Sequence, residues 1–352
     1  MKLFTPFAQR GVTLRNRLAI AAMCQYSAVD GVPDNWHLVH LGSRAVGGAA
    51  LLVAEATAIS PEGRISAGDV GLWNDTQLAA WQPITRFITA QGAIAGVQLA
   101  HAGRKASVLP PWEGGHPLAQ DAGAWQTVAP SALPFDAHWH VPHALDEAGI
   151  AKVVADFRAA ALRALDAGFQ LIELHGAHGY LLHQFLSPLS NHRTDAYGGS
   201  YENRTRLVRE VIAAVREVWP DHLPLWLRIS ATDWTEGGWD IEQSVQLARD
   251  VKSMGVDLID VSSGGVVPHA KIPVAPGYQV PFAARIRHDA GIATGAVGLI
   301  TESTHAARII EEDAADLVLI ARESLRDPYF PRRAAQELGM PITAPLQYQR
   351  AW

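Results

Sequence analysis

Short runs of Val, Ile, Leu and Ala recur along the chain, separated by longer stretches whose apolar residues return every three to four positions. Eight runs stand out, at 18–23, 49–56, 94–101, 169–176, 223–230, 258–263, 292–298 and 317–322. Between them, 75–91, 147–167, 202–219, 242–254 and 301–312 carry helical spacing. In the second of these, Ile150, Val153, Val154, Phe157, Ala161 and Leu165 line one helical face. Continuous apolar strands alternating with amphipathic helices predict a parallel sheet covered on both sides. Eight such units predict an α/β fold of the (β/α)8 barrel type. An open, doubly wound sheet is the alternative. No G-x-G-x-x-G follows a strand and no G-x-x-x-x-G-K-S/T occurs, which favours the barrel.

Two segments break the rhythm. Residues 5–17, within an N-terminal stretch 1–17, read as a hairpin that plugs the bottom of the barrel. Residues 104–146, dense in Pro, Gly, Trp and His, read as a long irregular loop after the third strand, of the kind that serves as a lid or binding loop. The whole of 1–352 is expected to be one domain, without internal repeats.

Composition narrows the class. With 48% hydrophobic and 18% charged residues the chain has ample core material, which excludes a disordered polymer. Its 29 basic residues against 35 acidic ones, net −6 with no basic stripe, argue against nucleic-acid binding. The single cysteine, Cys24, cannot build a disulfide, a Cys-based zinc site or an iron–sulfur cluster. The start lacks the apolar stretch of a signal peptide, and no run approaches a membrane span. A soluble cytoplasmic protein with no membrane association is the expectation.

In a barrel, polar residues at the C-terminal strand ends form the site. Here they are Cys24 and Tyr26, Glu55, Gln98 and His101, then His175, His178 and Tyr180, Arg228, Ser262 and Ser263, Gly295 and Gly298, and Arg322. Two imidazoles three residues apart can converge on one oxygen and hold a developing oxyanion. Metal ligation is the rival, although no third ligand is evident and no metal is expected; buried structural histidines are the plainer reading. Tyr180 is a phenol suited to donating a proton, or simply to packing. Arg228, at the end of an apolar strand, needs an anionic partner: a ligand, or an acidic neighbour such as Glu55. Gly295-Ala296-Val297-Gly298 together with Ala321-Arg322 sit where barrels commonly bind phosphate through backbone N–H groups. Cys24 alone reads as a small buried hydrophobe. Residues 191–200 read as a surface turn without chemistry of its own.

Met23-Cys24-Gln25-Tyr26, Glu55-Ala56-Thr57-Ala58, QLAHAGRK at 98–105, HGAHGY at 175–180 and LHQFLSPLSNHRTDAYGGSYENR resemble motifs of the Old Yellow Enzyme family. The resemblance runs through almost the whole chain, and the Cys with a His/His pair is similar to the thermophile-type bacterial branch. It implies non-covalent FMN on the C-terminal face, NADPH or NADH as reductant, and small-molecule activated alkenes as substrates. By the resemblance, Ala21, Ala22, Met23, Cys24, Ala56, Gln98 and Arg228 contact the isoalloxazine and ribityl chain. Gly295, Ala296, Val297, Gly298, Ala321 and Arg322 hold the phosphate. His175 and His178 bind the activating oxygen of the substrate, Tyr26 adds a contact and Tyr180 donates the proton. A tail at 340–352, with Arg350 and Trp352, reaches a neighbouring subunit of a dimer or tetramer. Ala22 stands where a proline is common and Ala321 where a glycine is frequent; neither change removes a reactive group. The alternative is a flavin-free phosphate-binding barrel, an aldolase or isomerase.

Overall fold

The computed structural model describes residues 1–351. Among these, eight parallel strands close into a barrel in chain order: β1 Leu18–Ile20, β2 Leu51–Ala58, β3 Ile94–Ala100, β4 Leu171–Gly176, β5 Leu225–Ser230, β6 Leu258–Ser262, β7 Ala293–Ala296 and β8 Leu317–Ile320. The last pairs with the first through Val318↔Leu18, Leu319↔Ala19 and Ile320↔Ile20. One helix follows each strand on the outside: α1 Asn35–Val46, α2 Asp75–Ala90, α3 Glu147–Asp166, α4 Tyr201–Arg216, α5 Ile241–Lys252, α6 Val280–Ala290, α7 Ser303–Glu311 and α8 Phe330–Glu337. The expected barrel is therefore the observed one.

The local chemistry explains where helices begin. Asp34, Asn74, Asp146, Ser200 and Asp240 each accept a backbone N–H of the first helical turn, so the loops at the C-terminal face end in defined caps. Three strands stop two or more residues before the end of their apolar runs. Pairing stops at Ile20, Ala296 and Ile320, and the residues beyond leave the ladder to shape the rim.

Inside the barrel, side chains alternate with period two and so stack in layers. Trp226, Arg228 and Ser230 succeed one another up β5, and Leu258, Asp260 and Ser262 match them on β6. The order is apolar at the bottom, charged in the middle, hydroxyl and imidazole at the top. The N-terminal hairpin, Phe7–Gln9 against Val12–Leu14, closes the bottom as expected. Its Gln9 accepts from Trp226 Nε1 at 2.6 Å and donates to Asp257 O at 3.0 Å, while Gly11 N donates to His222 O at 2.8 Å.

The segment 104–146 is more ordered than an irregular loop. It contains short 3-10 turns and a two-residue parallel pair, Val128–Ala129 with His143–Ala144. Residues 191–200 are not a mere surface turn, since they brace this loop. Asn191 is buried and donates to Phe185 O and Tyr197 O, and Arg193 donates to Pro130 O at 2.9 Å and to Leu145 O. Among the described residues no helix is long and apolar enough to cross a membrane.

Candidate active site on the C-terminal face

The fourth strand carries the site's polar centre. His175 lies buried one residue before the end of β4, and the chain then turns through Ala177, His178 and Gly179 before the short helix Leu181–Leu186. His178 holds a φ of +58°, unusual for a side chain of its size. A set of hydrogen bonds imposes that conformation. Ser230 Oγ accepts from His178 N at 2.9 Å, Lys105 Nζ donates to His178 O at 2.8 Å, and His183 Nδ1 accepts from Gly179 N at 2.9 Å. His183 is in turn held by Asp233 at 2.9 Å, with both side chains fully buried.

The turn sets three rings against one another. The imidazoles of His175 and His178 lie 5.1 Å apart and nearly perpendicular, and the Tyr180 ring is 4.9 Å from that of His175. His175 Nδ1 accepts the Ala177 N–H at 3.2 Å, so the neutral ring carries its proton on Nε2. Burial first, and the Arg228 charge second, hold both imidazoles well below their ordinary pKa. They are therefore neutral donors at physiological pH. His178 Nε2 lies 2.7 Å from Ser262 Oγ. Burial pushes the Tyr180 phenol upward, which keeps its proton in place, and the Lys105 ammonium stands 5.3 Å from the ring. Lys105 itself is brought down to about 8 by burial and then by Arg104.

Cys24 and Tyr26 face this group from the first loop, packed with Tyr180, Trp125 and Trp139 on a wall of Ala56, Ile65, Ala100, Ala102, Ala106 and Val108. Tyr26 has a φ of +51°. Burial raises the Cys24 thiol, making it a thiol rather than a thiolate. Glu55 fixes the first loop by accepting from Gln25 N at 2.8 Å, and burial lifts it to about 8. His101 serves the turn that follows β3, accepting from Gly103 N at 3.0 Å.

Arg228 does not pair with Glu55. Its Nε lies 3.0 Å from Asp260 Oδ2 on the adjacent strand, which the parallel register places directly beside it. Arg228, Ser262, Gln279, Gly298, Ala321 and Arg322 line one cavity of about 170 Å³. Gly298 has a φ of +129°, and a Cβ there would meet Gln279 Nε2 at 3.1 Å. The N–H groups of Gly298, Leu299 and Arg322 donate to no protein acceptor, and the Arg322 side chain makes no ion pair among the described residues. Donors without acceptors at a cavity wall are what an anion needs.

Sequence reading missed Glu173, Ser230, Asp233, Asp260 and Gln279. Glu173 and Asp260 carried the signal that betrayed Arg228, a charge inside an apolar strand. The others had none, because their partners lie far along the chain. Arg350 is not brought to this site. It is exposed, in a tail whose Leu346, Gln347 and Gln349 line a cavity with Arg15 and Val46 on the other end of the barrel. Trp352 lies outside the described residues.

An eight-stranded barrel with unmatched N–H donors at a cavity beside a His/His/Tyr rim defines the class: a barrel whose C-terminal face suits a phosphate-bearing ligand. The profile of the NADH:flavin oxidoreductase / NADH oxidase family matches residues 2–340, and the chain belongs to that family. It is 50% identical over 353 aligned positions to NADPH dehydrogenase of Bacillus velezensis, covering 100% of this chain and 99% of that one. The old yellow enzyme homologue of Zymomonas mobilis superposes with a TM-score of 0.81 at 27% identity, over 98% of this chain and 94% of that one. Morphinone reductase does so with a TM-score of 0.79 at 30% identity, over 97% and 91%. The protein is thus an FMN-dependent NAD(P)H oxidoreductase of the Old Yellow Enzyme type. The residues present fit FMN: the free N–H groups of Gly298, Leu299 and Arg322, with the Arg322 side chain, line a cavity that suits its phosphate.

Proposed function

We propose that this rim carries out the reduction of activated C=C bonds in α,β-unsaturated carbonyl or nitro compounds. The observation that carries the reading is the perpendicular His175/His178 pair with Tyr180 at one strand end. FMN, when bound, would supply the hydride chemistry between nicotinamide and alkene. Gly295–Gly298, Ala321 and Arg322 hold its phosphate, while Ala21–Cys24, Ala56, Gln98 and Arg228 hold its ring and ribityl chain. His175 donates from Nε2 to the carbonyl or nitro oxygen and His178 adds a second polar contact, so electron density is drawn from the β-carbon. Tyr26 orients the substrate. Tyr180 Oη gives its proton to the α-carbon, and the neutral imidazoles cannot take that proton from it at rest.

The chain works as one barrel domain in the cytoplasm, assembled as a dimer or tetramer in which the 340–352 tail, with Arg350 and Trp352, reaches a neighbour's site. The tail's position away from its own rim supports that reading. The test is an anaerobic visible spectrum of the purified protein. Yellow colour that bleaches with NADPH and returns with cyclohexenone is expected. Colour that bleaches but never returns with an enone or nitroalkene would sink the substrate assignment.

A further inference from the structure

The middle layer of the barrel holds two carboxyl groups, those of Glu173 and Asp260, that the proposed chemistry does not use. Gln98, Glu173, Arg228 and Asp260 stand on β3, β4, β5 and β6, with Gln98 beside Glu173 and Arg228 beside Asp260 in the register. All four are buried, and Glu173 and Asp260 have no exposed surface. Gln98 Nε2 donates to Glu173 Oε1 at 2.7 Å. Arg228 Nε is close to Asp260 Oδ2 but not aligned to donate to it. Glu173 Oε2 and both Asp260 oxygens therefore lack any donor. The two carboxyl groups are within hydrogen-bond reach of each other.

Two ionised carboxylates in that position would repel one another and leave desolvated charge unsatisfied. One proton between them removes both problems: its O–H donates to the neighbouring carboxylate, and a single negative charge faces Arg228. We propose that Glu173 and Asp260 share one proton, carried on Glu173, and that this proton sets the charge Arg228 presents to the flavin. The second half rests on the placement of Arg228 against the flavin given above. The directions agree. Burial and then Asp260 push Glu173 well above the usual carboxylate range; burial raises Asp260 as well, but there Arg228 and the hydrogen bond with Glu173 oppose the rise. With the proton, the three groups sum to zero charge; without it they sum to minus one, which opposes the addition of electrons to a neighbouring ring.

The test has two arms. An infrared difference spectrum, wild type minus Glu173→Gln, recorded on both flavin-loaded and flavin-stripped protein at neutral pH, is expected to show a carboxylic-acid C=O band. Carboxylate bands alone would overturn the proposal whether or not flavin is bound. The FMN midpoint potential of Glu173→Gln is expected to stay within about threefold of wild type in the reduced-to-oxidised equilibrium. The double variant Glu173→Gln/Asp260→Asn, which leaves Arg228 uncompensated, is expected to shift that equilibrium at least tenfold toward reduced flavin, ~30 mV for two electrons. A tenfold shift already in Glu173→Gln would mean that both acids are ionised. An acid band with no shift in the double variant would overturn the link to the flavin and count against the placement of Arg228, leaving the shared proton standing.

Discussion

The two ends of this barrel are built from the same strands yet solve different problems. At the N-terminal end, the hairpin's polar groups find partners: Gln9 bonds Trp226 and Asp257, and Arg15 donates to Ala45 O, Ala49 O and Gln91 O at the ends of α1 and α2. At the C-terminal end, Tyr26, Ser107, His178, Trp234 and Leu299 all hold positive φ, and the N–H groups around Gly298 are left without acceptors. Positive φ occurs at the N-terminal end too, at Arg10 and Asp313, and Arg15 Nε lacks an acceptor there; what sets the C-terminal end apart is a run of backbone N–H groups without acceptors that lines a cavity. The lesson is that polarity in a barrel core is informative by its incompleteness.

Substitutions can break or sharpen that contrast. Tyr180→Phe removes the proton donor alone and is expected to slow alkene reduction by about 10²–10⁴-fold while flavin reduction by NADPH changes little; stopped-flow measurement of each half-reaction checks it, and equal losses in both would remove Tyr180 from its role. Gly298→Ala places a Cβ 3.1 Å from Gln279 Nε2 at a φ of +129°. That strain, ~1–3 kcal/mol, should weaken FMN binding by about one to two orders of magnitude, as read by fluorescence titration of the stripped protein. At the opposite end, Gln9→Ala strands the Trp226 N–H and should cost about 1–2 kcal/mol in urea unfolding while kcat stays unchanged. If Gln9→Ala lowered kcat as steeply as it lowered stability, the two ends would not be separable.

Much of this was legible before any coordinates. The eight apolar runs gave strand number and order, because a strand buried on both faces must be apolar throughout. The His-Gly-Ala-His-Gly-Tyr segment announced its site because its residues are neighbours in the chain and stay neighbours in space. Which acid meets Arg228 was not legible, since it depends on strand register, and Asp260 rather than Glu55 lies beside it, 32 positions further on. The stretch 191–200 looked idle because its bonds run to Pro130 and Leu145, outside any local window.

The division follows the range of the forces involved. Periodicity, capping and motif spacing act over a few residues, so the chain alone settles its class of fold, its helix starts and the composition of its reactive rim. Closing the barrel is a long-range event that brings β3, β4, β5 and β6 side by side. It alone decides that Gln98, Glu173, Arg228 and Asp260 share one dry layer, that the tail packs against the far end, and which donors are left unmet for the cofactor.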